Sequence, residues 1–306
     1  MRTRLSGWPQ LLTLLVLTLA FGYLAWLGWG LLPGHGPLER DGFDGRRALA
    51  LVKDQCELGP RPGGSVEAWM VGDMILGELQ RVGWKTAVEE YAADDLQLRN
   101  VAGLAGESGP LVVIATHYDT TRLTSEDGRP MLGANNGASG VAVLLELARA
   151  LNVQKLQHRL WLVFLDGEAD PDAPDWDQLS GARRFAQNRH PAAIIYLNNV
   201  GAVHPYFPQA PDANELLQSQ LWKLAGRLGY ESLFPQQVGP TIIDAHTRFI
   251  QAGIPTAIII QPDYPYARTP EDDCKKIDEK SLQAVGVLLE SYVENGEFMT
   301  IAPALR

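Results

Sequence analysis

The sequence predicts an α/β domain with a mostly parallel central sheet covered by helices on both faces. Short β-branched runs without polar alternation read as strands buried on both sides. Segments with apolar residues at helical spacing separate those runs, which is the order a parallel sheet requires. Polar residues gather just after the runs, at the strand ends where sites form in such sheets. A chain of 306 residues with 46% hydrophobic composition can bury one large core. Its net charge of −10, with no basic run, argues against a nucleic-acid partner.

The first 44 residues read differently. Residues 1–7 carry Arg2 and Arg4, and no further charge appears until Glu39. Residues 8–32 are almost wholly apolar, enough for the roughly 20 residues of a membrane helix with some tilt. Trp8 lies near one end, Trp26 and Trp29 near the other, as an interfacial belt requires. A cleaved signal peptide has an apolar core of roughly 7–15 residues and a small-residue cleavage site. Here the core is longer, and "LGWGLLPGHG" is a poor site. The expectation is therefore a single-pass plasma-membrane anchor with a cytoplasmic N-terminus and an extracytoplasmic domain. Residues 33–44, rich in Gly, Pro and charge, form a linker, and 45–306 form the domain.

Within the domain, Arg46 to Lys53 is a first helical stretch, followed by the turn "LGPRPGGS". Val66 to Val82 places Met70, Ile75, Leu76, Leu79 and Val82 at helical spacing. "LVVIAT", Leu111 to Thr116, is the first buried strand, and a helix follows over Ala138 to Leu151. "LWLVFL", "AIIYLN" and "TAIIIQ" are further strands. Helical patterns occupy Gly181 to Gln187, Asn214 to Leu228 and Glu279 to Val293. Cys56 and Cys274 either pair in an oxidising compartment or stand as two buried thiols; the sequence leaves both open. The strand ends carry His117-Tyr118-Asp119, Asp166 to Asp170, Asn198-Asn199 and Asp263 to Asp273.

At these residues the chain resembles the zinc exopeptidase family that includes the leucyl aminopeptidases and glutaminyl-peptide cyclotransferases. The resemblance runs from about Ala48 to Val293. "LGPRPGGS", "THYDT", "LGANNGASGVAVLLELARAL", "LVFLDGEAD", "LSGARRFAQ", "IIYLNNVGA" and "RTPEDD" fall in the family's order and spacing. The cyclase branch is slightly nearer, from "FLDGE" with "LSGARRFA" and from "VGPTIIDAH". The resemblance implies a three-layer zinc exopeptidase-like fold with a metal site at the strand ends. It also implies that Asn136 stands where the family has a ligating aspartate, Ala169 where it has a glutamate, and Arg268 where it has a histidine. Asn198 stands where an aspartate ligates a second zinc or orients the site. His117 and Asp119 of the His-x-Asp motif, the general base Glu168, and Asp244 are retained.

Chemistry makes these departures severe. Zinc sites take four ligands, mostly anionic or imidazole donors. An amide oxygen is a weak neutral donor, alanine supplies none, and arginine brings donors and a fixed positive charge. Asp170, His204, His246 and Asp263 are the neighbours available as substitutes. The expectation is a metal-free, non-catalytic relative that binds a peptide, small ligand or partner protein in the old cleft. The alternative is an active aminopeptidase or cyclotransferase with an altered zinc site and Glu168 as base; a third reading makes the outer surface an interaction module. Arg268 is expected to reach into the cleft and pair with Glu168, Asp119 or Asp244 in place of the metal, or else to point to solvent. Trp176 is open between a pocket rim and a loop anchor; His158 and His190 are expected at the surface.

Overall fold

A computed structural model describes residues 41–305 of the chain. The expected anchor at 8–32, residues 1–7 and most of the linker lie outside the described residues. Among those described, no helix is long and apolar enough to cross a membrane.

Helix α1 (Gly45–Leu58) starts where the Asp44 carboxylate accepts from Arg46 N at 2.8 Å, a first-turn cap that the isolated helix lacks. It runs one turn beyond the apolar pattern. Helix α2 (Val66–Arg81) is opened in the same way by Ser65, after the Pro-Gly-Gly turn. A hairpin follows, β1 (Lys85–Ala93) and β2 (Leu96–Ala105), which sequence patterning leaves unassigned. Its first strand is an exposed edge carrying Lys85, Glu89 and Glu90, so no apolar run marks it. Then come β3 (Leu111–His117), α3 (Gly140–Ala150), β4 (Arg159–Leu165), the single turn α4 (Trp176–Leu179) and α5 (Gly181–Asn188). The chain continues through β5 (Ala193–Asn198), α6 (Glu215–Arg227), α7 (His246–Gln251), β6 (Thr256–Ile260), α8 (Glu279–Glu294) and α9 (Glu297–Ile301).

The strands form one six-stranded sheet in the order β1-β2-β4-β3-β5-β6. Strands β4, β3, β5 and β6 are parallel, while β1–β2 and β2–β4 are antiparallel. The sheet is thus mixed: the edge hairpin corrects the expectation of a mostly parallel one. Both faces are covered. Val112 and Ile114 of β3 pack into a core with α1, α2, α3, α6 and α8. Val113 and Ala115, one residue out of phase, pack into a second core with α5 and Phe249 of α7. Chain exits from β3 and β4 therefore go to opposite faces, and a crevice opens between the carboxyl ends of the strands.

Cys56 and Cys274 are joined in a disulfide, with Cα atoms 6.6 Å apart and a sequence separation of 218. This settles the alternatives left by the sequence. The bond ties the end of α1 to the loop between β6 and α8, and that loop forms one wall of the crevice.

Candidate functional site: the cleft at the strand ends

Asp119, just past β3, is the centre of the site. Its Oδ1 lies 3.1 Å from His117 Nδ1, and its Oδ2 accepts from the backbone N–H groups of Glu168 and Ala169, each at 2.9 Å. One carboxylate thus joins the turn after β3 to the turn after β4. The second turn requires Gly167, at φ +74°, where a Cβ would stand 2.3 Å from the Leu179 carbonyl oxygen.

Glu168 is buried and engaged at both oxygens. Ser180 Oγ and Ala182 N donate to Oε1 at 2.8 and 2.6 Å, and the Trp176 indole N–H donates to Oε2 at 3.0 Å. Ser180 also caps α5, accepting from Arg183 N at 3.1 Å, so the helix start and the acid share one hydroxyl. Burial pushes the Glu168 carboxyl up to about 8, against donors that favour its ionised form. Burial, then the charge of Asp119, pushes Asp166 up to about 7. For His117, burial disfavours the proton, but the Asp119 hydrogen bond and the charges of Asp119, Asp244 and Glu168 outweigh it, raising the ring to about 9.

Asp244, before α7, is likewise satisfied from within. Tyr196 OH and Ala245 N donate to Oδ1 at 2.8 and 2.7 Å, and Asn198 Nδ2 donates to Oδ2 at 2.8 Å. An amide at Asn198 is therefore a donor to Asp244, a role an aspartate could not fill while ionised.

The loop that carries Asn136, residues 134–139, is a wide turn broken at Asn136 (φ −81°, ψ 93°) and Gly137 (φ +110°). A Cβ at Gly137 would lie 2.6 Å from the Asp119 carbonyl oxygen, so only glycine fits there. The backbone N–H groups of Asn135 and Asn136 donate to Asp272 at 2.8 and 3.0 Å, and Tyr264 OH donates to the same carboxylate. Arg61, fully buried, donates to the carbonyl oxygens of Tyr118, Leu132 and Gly133, clamping this loop to the turn after β3. The Arg61 turn is thus a structural clamp and more than a rigid bend.

His117, Asn136, Glu168, Ala169, Asn198, Asp244 and Arg268 all line one cavity of about 120 Å³. The structure brings together every residue at which the resemblance placed the site, apart from Asp119, which lies directly behind His117. The expected pairing of Arg268 is corrected. Its Nη1 lies 3.0 Å from Asp172 Oδ2, and among the described residues Glu168, Asp119 and Asp244 form no ion pair with it. The physical reason is that donors from within the protein already satisfy those three carboxylates, so a long charged arm gains more at the wetter rim.

Other residues escaped sequence reading. Tyr196 sits inside a strand of buried apolar residues, and Ser180 and Asp272 fall in quoted motifs without an evident role. Trp176 is buried and anchors Glu168, with the Arg248 guanidinium 3.8 Å above its ring. His158 is buried, contrary to expectation, packed 5.8 Å from the Phe298 ring; His190 is exposed.

Fold and cleft together match a known family. The chain belongs to peptidase family M28, whose model matches residues 100–293. It is 28% identical over 338 residues to the mouse glutaminyl-peptide cyclotransferase-like protein, covering 89% of this chain and 86% of that one. A leucine aminopeptidase precursor from Bacteroides thetaiotaomicron superposes with a TM-score of 0.76 at 28% identity, over 85% of this chain and 99% of the other. The glutaminyl cyclase of the same organism, bound to N-acetylhistamine, gives 0.76 at 29% identity, over 83% and 98%. Another structural relative is a Zn-dependent exopeptidase from Parabacteroides distasonis, with a TM-score of 0.74 at 27% identity, over 83% and 99%.

The residues present do not fit a zinc ion. Among the described residues, no three His, Cys, Asp or Glu side chains are grouped to hold a metal. Asn136 offers a neutral amide, Ala169 nothing, and Arg268 a positive charge in the same cavity. The substitutes are turned elsewhere. Asp170 accepts from Thr121 Oγ1 and Arg122 N, His246 faces Asp212 at 3.5 Å, and His204 and Asp263 are exposed.

Proposed function

We propose that the chain is a metal-free, non-catalytic member of the family that binds a peptide, small ligand or partner protein in the cleft at its strand ends. One observation carries the reading: all three retained carboxylates, Asp119, Glu168 and Asp244, have both oxygens engaged by protein donors. A carboxylate held this way is neither a ready metal ligand nor a free base for water. The general-base position is filled, but the group is locked.

The proposal includes an extracytoplasmic domain on a plasma-membrane anchor at residues 8–32. The Cys56–Cys274 disulfide supports that compartment, since such bonds persist in oxidising surroundings. Arg2 and Arg4 ahead of the apolar span support the orientation.

Metal content and turnover test the functional reading together. The purified full chain, supplied with zinc, should retain less than one equivalent after desalting. It should show no release of N-terminal residues from aminoacyl anilides and no cyclisation of glutaminyl peptides. Stoichiometric zinc with turnover of either substrate would restore the alternative, an active aminopeptidase or cyclotransferase with an altered site.

A further inference from the structure

We propose that the cleft is a carboxylate receptor, in which Arg268 and the free edge of His117 take the carboxylate of a small acid or of a peptide carboxy terminus. The inference rests on the metal-free reading and names the ligand class of the same site.

The groups that face the cavity divide into committed and uncommitted. Glu168 and Asp244 line it and already accept from protein donors at both oxygens, and Asp119 lies behind His117. His117 is different. Its Nδ1 is held against Asp119, and its Nε2, on a side chain only 1% exposed, has no partner. A buried polar atom without a protein partner is costly, and a ligand that reaches the cavity can complete it. Arg268 lines the same cavity, and only one of its five N–H donors, on Nη1, is engaged by another described residue.

Arg268 also shows what it binds. Asp172 Oδ2 lies 3.0 Å from Nη1, with the Asp172 side chain 71% exposed and the Arg268 side chain 35% exposed. This pair joins the loop after β6 to the loop after β4, which lines the cavity through Pro171. An ion pair so open to water is weak and replaceable. Asp172 is therefore an internal stand-in: a carboxylate resting on the rim of a site built for one. The planar guanidinium can accept a second carboxylate in the bidentate manner that Asp172 leaves unused. Ile242, Ile260, Pro262 and Ala267 supply an apolar wall for the stem that carries the acid.

The test uses the full chain in detergent with excess chelator, and three probes. These are N-acetyl-trialanine with a free carboxylate, trialanine amide with a free amine, and propionate, followed by isothermal titration. The acetylated peptide should bind and the amide should not. Arg268→Gln should weaken binding at least tenfold, and Asp172→Asn should tighten it several-fold by removing the internal competitor. Both positions are partly exposed, so the variants should fold; circular dichroism checks this. Competition by propionate assigns the site to small acids, and its failure assigns it to peptide termini. Binding of the amine in place of the carboxylate, binding of neither peptide nor propionate, or an Arg268→Gln protein that binds like the parent would overturn the inference. Carboxylate binding seen only after zinc is added would instead overturn the metal-free reading beneath it.

Discussion

Glu168 shows at the scale of one residue how burial and fixed donors set the state of an acid. Three neutral donors hold its oxygens, and burial raises its carboxyl to about 8 from an ordinary 4.5. Because the folded chain holds that proton more tightly than the unfolded chain, this contribution to stability is full below about 4.5 and lost as pH rises to about 8. Asp166, raised to about 7, and His117, raised from 6.5 to about 9, act in the same direction. The melting temperature should therefore fall between about pH 5 and pH 9, and Glu168→Gln should lose less of it over the lower part of that window. A melting temperature that climbs with pH would contradict the assignment. Trp176→Phe, which removes one buried donor to Glu168 and keeps the ring, should cost about 1–3 kcal/mol in denaturant titrations. Arg268→Gln, at the rim, should stay within about 0.5 kcal/mol of the parent. The family resemblance pointed to Glu168 and Arg268 but not to their partners. Tyr196 and Ser180 are chosen by tertiary contact, and nothing in a local pattern distinguishes them from neighbouring residues.

At the scale of elements, the legible parts are those with a buried signature. Strands β3, β4, β5 and β6 announce themselves because each is enclosed on both faces by helices, which leaves mostly apolar residues between its ends. The first strand of the β1–β2 hairpin is half solvated, its charges Lys85 and Glu90 face water, and the hairpin's place in the sheet is fixed by the register of β2 against β4. Helix α7 is only six residues long, too short for a periodic pattern to stand out. The disulfide is an element-level device of the same kind. It closes a loop of 218 residues and fixes the segment that carries Arg268 and Asp272 against α1. Replacing both cysteines by serine should cost about 2–5 kcal/mol. Amide exchange should quicken at residues 264–273 more than in the strands. Equal exchange in both proteins would mean that Asp272, with its grip on Asn135 and Asn136, holds that wall without the disulfide.

For the whole molecule, two apolar cores flank one sheet and both are built from packed side chains. A chelator should leave the melting temperature of the chain unchanged, since a bound ion would stabilise in proportion to its affinity. The proposed topology predicts silence from a cytoplasm-dependent reporter fused after Arg306; strong signal there would reverse the orientation. The proposed loss of metal binding rests on three positions, and restoring them tests it most directly. Zinc should be titrated into the full chain and into the variant Asn136→Asp, Ala169→Glu, Arg268→His under the same conditions. The parent should show no saturable zinc binding, and the variant should gain it by at least tenfold in affinity, because two anionic donors and an imidazole replace an amide, a methyl group and a cation. Tight stoichiometric zinc in the parent, or no gain in a folded variant, would contradict the assignment of this cleft as a site that has lost its metal.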